Sequence, residues 1–455
     1  MIRRTAAVWA GKATGTLSRI TRRGGGTTLP GDVARAIDPQ ILTELASDLT
    51  HGSIVITGTN GKTTTARMVS WLLEGAGHRV VSNRAGANLI FGATAAALNR
   101  AGANGKLKAD WGVFEIDEAS LPRAVAEIQP RATLVMNLFR DQLDRYGELE
   151  SIARKIQQAL TTLPDDSAAV LNADDPRAAE IGLDLSRKPL WYGLEDERVA
   201  GRTLPHAADA RTCPRCGSTL IFDAVYVGHD GVYRCPNHDF ARPRPDIKAT
   251  DIELHGFDSL AMTVEGTRIE MPLGGLYNCY NVLAAFAAAC SIGLDAGYAA
   301  ERLKTFKAAF GRQERIDFRG RHLILVLSKN PAGFNETLRT AVELARGENF
   351  IIGLNDRRAD GTDVSWIWDV DFEQLQNRSR TVIPAGVRAN DLAVRLKYAG
   401  VAAKQPQTDP GNALDELVRS TSEGDTAYVL CTYTAMLDIR AELTRRGWAQ
   451  PYWET

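Results

Sequence analysis

A glycine-rich segment followed by a lysine and three threonines is the stretch best suited to hold a phosphate. It reads Thr57-Gly58-Thr59-Asn60-Gly61-Lys62-Thr63-Thr64-Thr65 and follows a β-rich apolar run. The N–H groups of such a turn and of the next helix form an anion cradle, while Lys62 adds positive charge and Thr63 can reach a magnesium ion. Ile56 stands where the strict P-loop pattern has its first glycine. We expect residues 58–64 to bind phosphate, because the strand before them and the threonines after them argue against an incidental Gly-Lys helix start.

Carboxylates that follow another apolar run could hold a metal ion beside the phosphates. This run ends in Glu115-Ile116-Asp117-Glu118. A hard cation that bridges phosphates takes oxygen ligands, which carboxylates at the ends of neighbouring parallel strands can supply. We expect Thr63 and Glu115 to bind Mg²⁺, with Asp117 or Glu118 as the second choice. An exposed acidic loop is the alternative.

Two further polar segments end apolar runs. They read Asn137-Leu138-Phe139-Arg140-Asp141-Gln142-Leu143-Asp144-Arg145-Tyr146-Gly147 and Asn172-Ala173-Asp174-Asp175-Pro176. Either one alone is a weak signal, because Asp and Asn often cap helices that follow strands. Together they place polar side chains at the sheet edge that carries the phosphate loop, so we expect both to belong to the site.

Two pairs of metal-ligand residues lie in a polar stretch of the chain. Cys213-Pro214-Arg215-Cys216 is followed, after eighteen residues, by Cys235-Pro236-Asn237-His238. This spacing is typical of a closed structural zinc site with Cys213, Cys216, Cys235 and His238 as ligands. Disulfides or free thiols are the alternative. Few basic or aromatic residues surround the first pair, so we expect a structural or partner-contact role and no nucleic-acid partner.

The positions of these motifs follow from an alternation of β-rich runs and helical patterns, which is typical of α/β domains with parallel sheets. The alternation begins near residue 52 and breaks near residue 195. A polar stretch then runs to about residue 246, with period-two segments at 247–254 and 259–264, and we interpret this part as an insertion rather than a continuation of the sheet. A second alternation follows the joint near residue 315. Two doubly wound lobes would place a ligand cleft between them.

Composition excludes several classes of protein. The 455 residues include 54 Lys and Arg against 55 Asp and Glu, 44% are hydrophobic and 24% are charged, which excludes a disordered or fibrous chain. Nothing in the overall charge points to a polyanionic partner. A run of about 18 apolar residues, as a bilayer-spanning helix requires, does not occur. We expect a cytoplasmic protein.

The amino-terminal segment is strongly basic. Its basic residues precede the first acid, Asp32, and the Gly24-Gly25-Gly26 linker follows them; they are Arg3, Arg4, Lys12, Arg19, Arg22 and Arg23. We favour a frayed, solvated tail. A basic amphipathic segment that touches an anionic membrane face, at the inner side of the cell membrane, is the alternative. A cleaved export signal is disfavoured, because Lys12 follows an apolar stretch of only five residues.

The order of the motifs over residues 50–315 resembles the ATP-binding core of the Mur ligase superfamily. The motifs are GTNGKTT, EIDE, NLFRDQLDRYGE, NADDP, Asn278-Cys279-Tyr280-Asn281-Val282-Leu283-Ala284-Ala285 and GRQER. The resemblance implies that ATP activates a carboxylate as an acyl phosphate, which an amine then attacks. It also implies that Asn172, Asn278 and Asn281 lie near adenine and ribose, and that Arg312 lies near the phosphates. Two departures are the short segment before the phosphate loop and Gln142, where the family usually has His.

Over its whole length the chain resembles the Mur ligase-like subunits of lipid II isoglutaminyl synthase, a family with a zinc ribbon and a distinct last lobe. The last-lobe motifs are Ser328-Lys329-Asn330-Pro331-Ala332-Gly333-Phe334-Asn335, Asn355-Asp356-Arg357-Arg358-Ala359-Asp360-Gly361-Thr362-Asp363-Val364-Ser365-Trp366 and Thr432-Tyr433-Thr434-Ala435-Met436. The expected architecture is α/β. It comprises a basic segment and linker (1–50), a Mur ligase-like ATP-binding domain (51–315) with a zinc ribbon at about 205–245, and a second doubly wound domain (316–455). In the family the fourth zinc ligand is Cys, so His238 is a departure.

The resemblance implies a reaction with lipid II as the membrane-anchored substrate. The α-carboxylate of the stem-peptide D-glutamate is amidated to D-isoglutamine with ammonia from a GatD-like glutaminase subunit. Lys62, Mg²⁺ and Lys329 would neutralise the charge that develops when two anions meet. The resemblance also implies that an Asp of the last lobe orients the catalytic His of the partner. We favour Asp360, with Asp363 and Asp356 as rivals and a structural Asx turn as the alternative.

The cysteines indicate that the chain depends on that partner for its nitrogen. Three are assigned to zinc, Cys279 and Cys290 lie in a helix-like stretch, and Cys431 lacks the glycine flanks of a nucleophile elbow. Two other hypotheses stay open. One is a Mur or folylpolyglutamate type ligase that adds an amino acid, and the other is a non-enzymatic zinc-ribbon module that uses nucleotide as a switch.

Overall fold

A nine-stranded sheet organises the first two thirds of the chain. The computed structural model describes residues 2–20, 28–83, 87–141, 149–206, 208–307, 313–344 and 348–450. The sheet order is β11-β10-β9-β6-β5-β4-β1-β3-β2, parallel from β2 to β9 and antiparallel at β10 and β11. The strands are β1 (Gly52–Thr57), β2 (Val80–Ser82), β3 (Trp111–Glu115), β4 (Ala132–Val135), β5 (Ala168–Asn172), β6 (Leu190–Leu194), β9 (Ile247–His255), β10 (Ser259–Val264) and β11 (Thr267–Met271).

Helices cover both faces of this sheet, which is why its central strands are continuous apolar runs. In β1, Ile54 and Ile56 belong to one core and Val55 to the other, as the twofold periodicity of a strand requires. The helices are α1 (Ile2–Ile20), α2 (Leu29–Ile37), α3 (Ile41–Ala46), α4 (Lys62–Gly75), α5 (Ile90–Arg100), α6 (Leu121–Ile128), α7 (Leu149–Thr161), α8 (Pro176–Leu183), α9 (Leu276–Ser291) and α10 (Ala296–Leu303). Helices α4 and α9 lie side by side on the first core.

A five-stranded sheet organises the last third of the chain, with strand order β12-β13-β16-β14-β15. Only β12 runs antiparallel to its neighbour. The elements are β12 (Gln313–Phe318), β13 (Arg321–Leu327), α11 (Pro331–Leu344), β14 (Glu348–Gly353), β15 (Ser379–Ala385), α12 (Ala389–Tyr398), α13 (Pro410–Ser420), β16 (Thr426–Cys431) and α14 (Tyr433–Arg445). The expected two α/β lobes are therefore present.

The part of the chain that we interpreted as an insertion divides into two. A hairpin of β7 (Ile221–Val227) and β8 (Asp230–Arg234) forms a separate two-stranded sheet. The period-two segments behave differently, because β9 pairs with β6 and is followed by β10 and β11 at the edge of the main sheet. Our interpretation was wrong for these strands: their alternation reflects an antiparallel edge with one solvated face.

The expectation of a frayed basic tail is also wrong, since α1 packs on α2 and α5. Ala7 and Val8 are buried, and a side chain at Gly11 would clash, because its Cβ would lie 2.8 Å from Leu98 Cδ1. We call Ala7, Val8 and Gly11 the buried stripe of α1. In the sequence these small residues lie among arginines and lysines, so they do not stand out as an apolar run. The Gly24–Gly26 linker lies outside the described residues. Within the described part of the chain, no helix is both long and apolar enough to cross a membrane.

Candidate active site

The phosphate loop lies between β1 and α4, as expected. Gly61 starts the helix in the left-handed region at φ 88°, and a Cβ there would lie 2.0 Å from Asn281 Oδ1. Asn137 holds the loop from the neighbouring strand: its Oδ1 accepts a hydrogen bond from Asn60 N at 2.8 Å, and its Nδ2 donates to Asn60 O at 3.2 Å. Position 61 therefore requires glycine, both because of its left-handed backbone and because Asn281 of helix α9 leaves no room for a side chain.

Lys62 is buried among carboxylates. Its ammonium group donates to the carbonyl oxygen of Gly58 and lies 3.3 Å from Glu118 Oε1. Burial opposes the charged form, but Glu118, Glu115, Asp141 and Asp117 outweigh it and raise the pKa of Lys62 above its usual 10.5. Lys62 therefore carries its positive charge throughout the physiological pH range.

Thr63 and Glu115 are brought together, as the magnesium prediction requires. Thr63 Oγ1 donates to Glu115 Oε2 at 2.8 Å, and Asn83 Oδ1 accepts from Glu115 N at 2.9 Å. A hydroxyl and a carboxylate beside a phosphate loop are the oxygen ligands that Mg²⁺ prefers. Asp117 accepts from Ala119 N at the start of a helical turn, whereas Glu118 contacts Lys62. Of the two second choices, Glu118 is the one that reaches the loop.

A cleft opens next to the loop, between the two domains. Thr63 and Thr64 line one part of it, Asn278 and Asn281 line another, and Gly333 belongs to the C-terminal domain. A cleft between two α/β domains, beside a phosphate loop, is the usual position of a nucleotide site. Asn278 and Asn281 thus line the cleft beside the phosphate loop, and their side chains are joined by a hydrogen bond of 2.8 Å.

Asn172 lies one layer behind the cleft. It is buried and its Nδ2 donates to Asp230 Oδ2 at 3.1 Å, while Asp230 itself lines the cleft. The sequence reasoning missed Asp230, because it lies at a hairpin turn in the polar stretch and no motif marks it. Arg312 and Gln142 lie outside the described residues.

The two aspartates of the NADDP segment serve the fold. Asp174 accepts from Arg242 Nε at 2.6 Å, from Tyr280 Oη at 2.7 Å and from Leu194 N at 2.8 Å. Burial raises the pKa of Asp174 despite the Arg242 guanidinium. Asp175 caps α8 through the N–H groups of residues 177 and 178. Asp175 therefore has the helix-capping role that the sequence had left open.

A second cleft of about 500 Å³ brings several last-lobe residues together with the segment after β4. Lys329, Asp141, Asp360 and Asp363 line it. Lys329 Nζ lies 2.5 Å from Asp141 Oδ2, so this ion pair joins the two domains. Asp360 is buried and accepts from Thr434 N at 2.7 Å and from Thr434 Oγ1 at 2.5 Å.

The rival aspartates differ from Asp360 in their surroundings. Asp356 pairs with Arg388 at 2.7 Å, and Asp363 accepts from Ser365 N at 2.8 Å. This backbone hydrogen bond lowers the pKa of Asp363. Asp360 and Asp363 share the second cleft, whose lining does not include Asp356.

The two predicted pairs of metal ligands lie close together, but Asp239 takes the fourth position instead of His238. Atoms of Cys213, Cys216, Cys235 and Asp239 lie within 4.8 Å of one another, and His238 is not part of this group. Cys216 Sγ and Cys235 Sγ are 3.4 Å apart. His238 adopts a left-handed backbone at φ 61°, and the next residue, Asp239, directs its carboxylate at the sulfurs. The prediction of His238 as fourth ligand therefore does not match the geometry.

Comparisons with known proteins agree with this architecture. The Mur ligase middle domain family model matches residues 56–211, and the MurT ligase C-terminal model matches residues 327–436. The chain is 34% identical over 437 residues to the lipid II isoglutaminyl synthase (glutamine-hydrolyzing) subunit MurT of Streptococcus pneumoniae, with 94% of each chain covered. It is 32% identical to the same subunit of Staphylococcus aureus strain COL, with 83% of this chain and 84% of the relative covered.

Solved structures show the same fold. A pseudomurein peptide ligase type C from Methanothermus fervidus matches with a TM-score of 0.71 at 23% identity, over 88% of this chain and 79% of that chain. MurF from Acinetobacter baumannii matches with a TM-score of 0.67 at 17% identity, over 91% and 80%. With its Mur ligase-like central domain and its MurT-type C-terminal domain, the chain belongs to the MurT family of ATP-dependent, Mur ligase-type subunits.

Proposed function

We propose that the chain amidates the α-carboxylate of D-glutamate in the stem peptide of lipid II, in an ATP-dependent reaction that passes through an acyl phosphate. The observation that carries this proposal is the charged phosphate loop, with Lys62 and the Thr63–Glu115 pair, beside a cleft between two domains. The names of the MurT relatives supply the substrate. In this proposal residues 51–315 bind the nucleotide and residues 316–455 complete the acceptor site.

The first step joins two anions. A carboxylate oxygen of the substrate attacks the γ-phosphorus of ATP, a new P–O bond forms and ADP leaves. Lys62 is charged and close to the loop, and it must exchange Glu118 for phosphate oxygens to neutralise the developing charge. Mg²⁺ held by Thr63 and Glu115 would supply further charge neutralisation.

The second step forms the amide. Ammonia attacks the carbonyl carbon of the acyl phosphate, the C–N bond forms, the C–O bond breaks, and inorganic phosphate leaves with the former carboxylate oxygen. Water competes for the same carbon, so the cleft has to be closed. Contacts between the domains support closure: Asn330 Nδ2 donates to Asn60 Oδ1 at 2.9 Å, and Lys329 pairs with Asp141.

Lys329 is proposed to position the acceptor carboxylate. It lies in the second cleft, where its ammonium group pairs with Asp141. A carboxylate of the substrate can take the place of the Asp141 carboxylate beside the Lys329 ammonium group. The net charge of the ion pair would then stay the same. This exchange would bring the acceptor to the domain boundary next to the phosphate loop.

The nitrogen is proposed to come from a glutaminase partner of the GatD type. Glutaminases need an activated thiol, and the cysteines outside the metal-ligand cluster lie in apolar surroundings. Burial raises the pKa of Cys279 to about 12 and that of Cys290 to about 11, and it raises that of Cys431 as well. The word "subunit" in the names of the relatives supports a partner chain.

The function is tested by the choice of nitrogen source. The purified chain should amidate lipid II with ATP and ammonium but not with glutamine, and a co-expressed glutaminase should restore the use of glutamine. A panel of amino acids should give no product. ATP turnover that depends on an amino acid, with no amidation by ammonium, would assign the chain to the amino-acid-adding ligases instead.

Asp360 is proposed to orient the catalytic histidine of the partner. Asp360→Asn should lower glutamine-dependent amidation about 100-fold or more and leave ammonium-dependent amidation unchanged. Asp363→Asn, from the same cleft, is the matched control. Because Asp360 also binds Thr434, the melting temperature of each variant is measured too. Equal loss with ammonium and glutamine would assign Asp360 to the fold of this chain.

The cysteine cluster is proposed to hold a structural zinc ion with Cys213, Cys216, Cys235 and Asp239 as ligands. The three sulfur atoms and a carboxylate oxygen lie within 4.8 Å of one another, and structural Zn²⁺ takes four such ligands in a tetrahedral arrangement. Zinc analysis of Asp239→Ala and His238→Ala identifies the fourth ligand. Loss of zinc in the His238 variant alone would restore the histidine prediction.

Helix α1 is proposed to rest on the inner face of the membrane that carries the substrate. Ile2, Trp9 and Leu17 are 90%, 57% and 62% exposed, and their spacing of seven and eight residues places them on one helix face. Residues 2–20 contain basic but no acidic side chains, which suits anionic lipids.

Sedimentation with vesicles tests the membrane contact. The Trp9→Ser/Leu17→Ser double variant should bind phosphatidylglycerol vesicles at least about fivefold more weakly than the wild type. Leu183→Ser, which changes an exposed leucine elsewhere, should bind like the wild type. Equal binding of the double variant and the wild type, or equal binding of the wild type to phosphatidylcholine vesicles, would contradict an anionic lipid contact.

A further inference from the structure

A second cluster of metal-ligand side chains lies inside the protein, apart from the cysteine cluster and from the Thr63–Glu115 pair. It consists of Asp175, His229 and Asp230, whose ligand atoms lie within 4.8 Å of one another. His229 lies in the tight turn between β7 and β8, Asp230 is the first residue of β8, and Asp175 caps the start of α8. All three side chains are buried, and His229 has an exposed fraction of 0%.

Three polar atoms of this cluster lack hydrogen-bond partners among the described residues. Neither ring nitrogen of His229 has a hydrogen-bond partner among the described residues, and neither does Asp230 Oδ1. Each buried polar atom left in this state costs about 1–3 kcal/mol. His229 Nε2 lies 3.7 Å from Asp175 Oδ2, which is too long for a hydrogen bond. This separation suits two ligands that share one ion at about 2.1 Å from each.

Hydrogen bonds hold the two carboxylates in place. Asp175 Oδ2, the oxygen that faces the imidazole, also accepts from Leu138 N at 2.6 Å, and Asp175 Oδ1 accepts from Arg177 N at 2.7 Å. Asp230 Oδ2 accepts from Asn172 Nδ2 at 3.1 Å. Such outer contacts orient metal-binding carboxylates. Phe139 covers the imidazole at 4.5 Å between ring centroids, so the ring has little freedom to turn away.

Charge also favours a cation. Asp175 and Asp230 bring two carboxyl groups into one buried volume next to Asp174, whose charge Arg242 already balances. Two ionised carboxylates this close together in a buried volume repel each other, and the ionised pair therefore needs a positive partner. One divalent ion with two carboxylates and a neutral imidazole would leave the cluster uncharged.

We propose that Asp175, His229 and Asp230 bind a divalent transition-metal ion at the wall of the nucleotide cleft. The imidazole selects ions such as Zn²⁺, Co²⁺ or Ni²⁺ over Mg²⁺ and Ca²⁺, which prefer oxygen ligands alone. Asp230 also lines the cleft, so the ion lies at the edge of the space for the nucleotide. The ion ties the turn of the β7–β8 hairpin to the start of α8.

Cobalt titration of the metal-free full chain in excess Mg²⁺ tests this site. Co²⁺ bound by thiolates gives strong charge-transfer absorption, whereas Co²⁺ bound by nitrogen and oxygen gives only weak visible bands. Apart from any cobalt held by the cysteines, the wild type should bind one further Co²⁺ per chain. This ion should give only the weak visible bands. His229→Gln should weaken this binding about 100-fold or more and leave any thiolate absorption intact.

Matched variants distinguish this site from cobalt bound at the protein surface or by the cysteines. His322→Gln removes an exposed histidine that pairs with Asp317 at 2.6 Å and should bind Co²⁺ like the wild type. Cys216→Ser should keep the cobalt ion that lacks thiolate absorption. Asp230→Asn provides a second ligand variant if His229→Gln unfolds, as judged by circular dichroism. Absence of this cobalt ion from the wild type, or its retention in folded His229→Gln and Asp230→Asn, would overturn the proposal.

Discussion

Lys62 combines burial with a charge that the surrounding carboxylates stabilise. Because its pKa is raised above 10.5, the charged form contributes stability that is fully present below pH 10.5 and is lost as the pH rises through the folded-state pKa. The ammonium group therefore stays charged wherever the enzyme works. Changes of activity between pH 6 and 9 must come from other groups or from ammonia itself.

Replacement of Lys62 by methionine tests this role. Lys62→Met should lower kcat for ammonium-dependent amidation about 100- to 1000-fold, because charge develops beside the position of its ammonium group. Lys188→Met, on the exposed surface, should retain activity. In alkaline unfolding, the wild type should lose more stability above pH 10.5 than Lys62→Met. Unchanged amidation by Lys62→Met would contradict a role of the phosphate loop in the reaction.

At the scale of elements, the ion pair of Arg242 with Asp174 joins the segment between β8 and β9 to the turn between β5 and α8. Both side chains are almost fully buried at a distance of 2.6 Å. Arg242→Met leaves a buried carboxylate without its partner and should lower the free energy of unfolding in urea by about 3–5 kcal/mol. Arg234→Met breaks an exposed pair with Asp223 and should change this free energy little. Equal effects of the two variants would contradict a structural role of the buried pair.

Most elements could be predicted from the sequence, because parallel strands buried on both faces are continuous apolar runs and motifs mark their ends. The loop at residues 58–64 and the Thr63–Glu115 pair follow from this pattern, whereas the two asparagines of α9 are indicated only by the resemblance to Mur ligases. Other features depend on tertiary contacts that no local pattern encodes. They include the buried stripe of α1, the sheet position of β9–β11, the place of Asn172 behind Asp230, and the choice of Asp239 over His238.

For the whole molecule, the contacts between the domains decide whether water enters the cleft. Asn60 and Asn330 exchange two hydrogen bonds across the boundary, at 2.9 and 3.3 Å. Asn330→Ala should admit water and raise the phosphate released per amide formed by about twofold or more. Asn412→Ala, on an exposed helix, is the control. A ratio that stays at the wild-type value in Asn330→Ala would show that this pair does not seal the site.

Oxygen transfer from substrate to phosphate is the most direct test of the proposed chemistry. Lipid II labelled with ¹⁸O in the α-carboxylate of D-glutamate is amidated with ATP and ammonium, and the released phosphate is analysed by mass spectrometry. Carboxylate activation predicts one ¹⁸O atom in each phosphate formed with an amide. Amide product accompanied by unlabelled phosphate would contradict the acyl phosphate and with it the role assigned to the site.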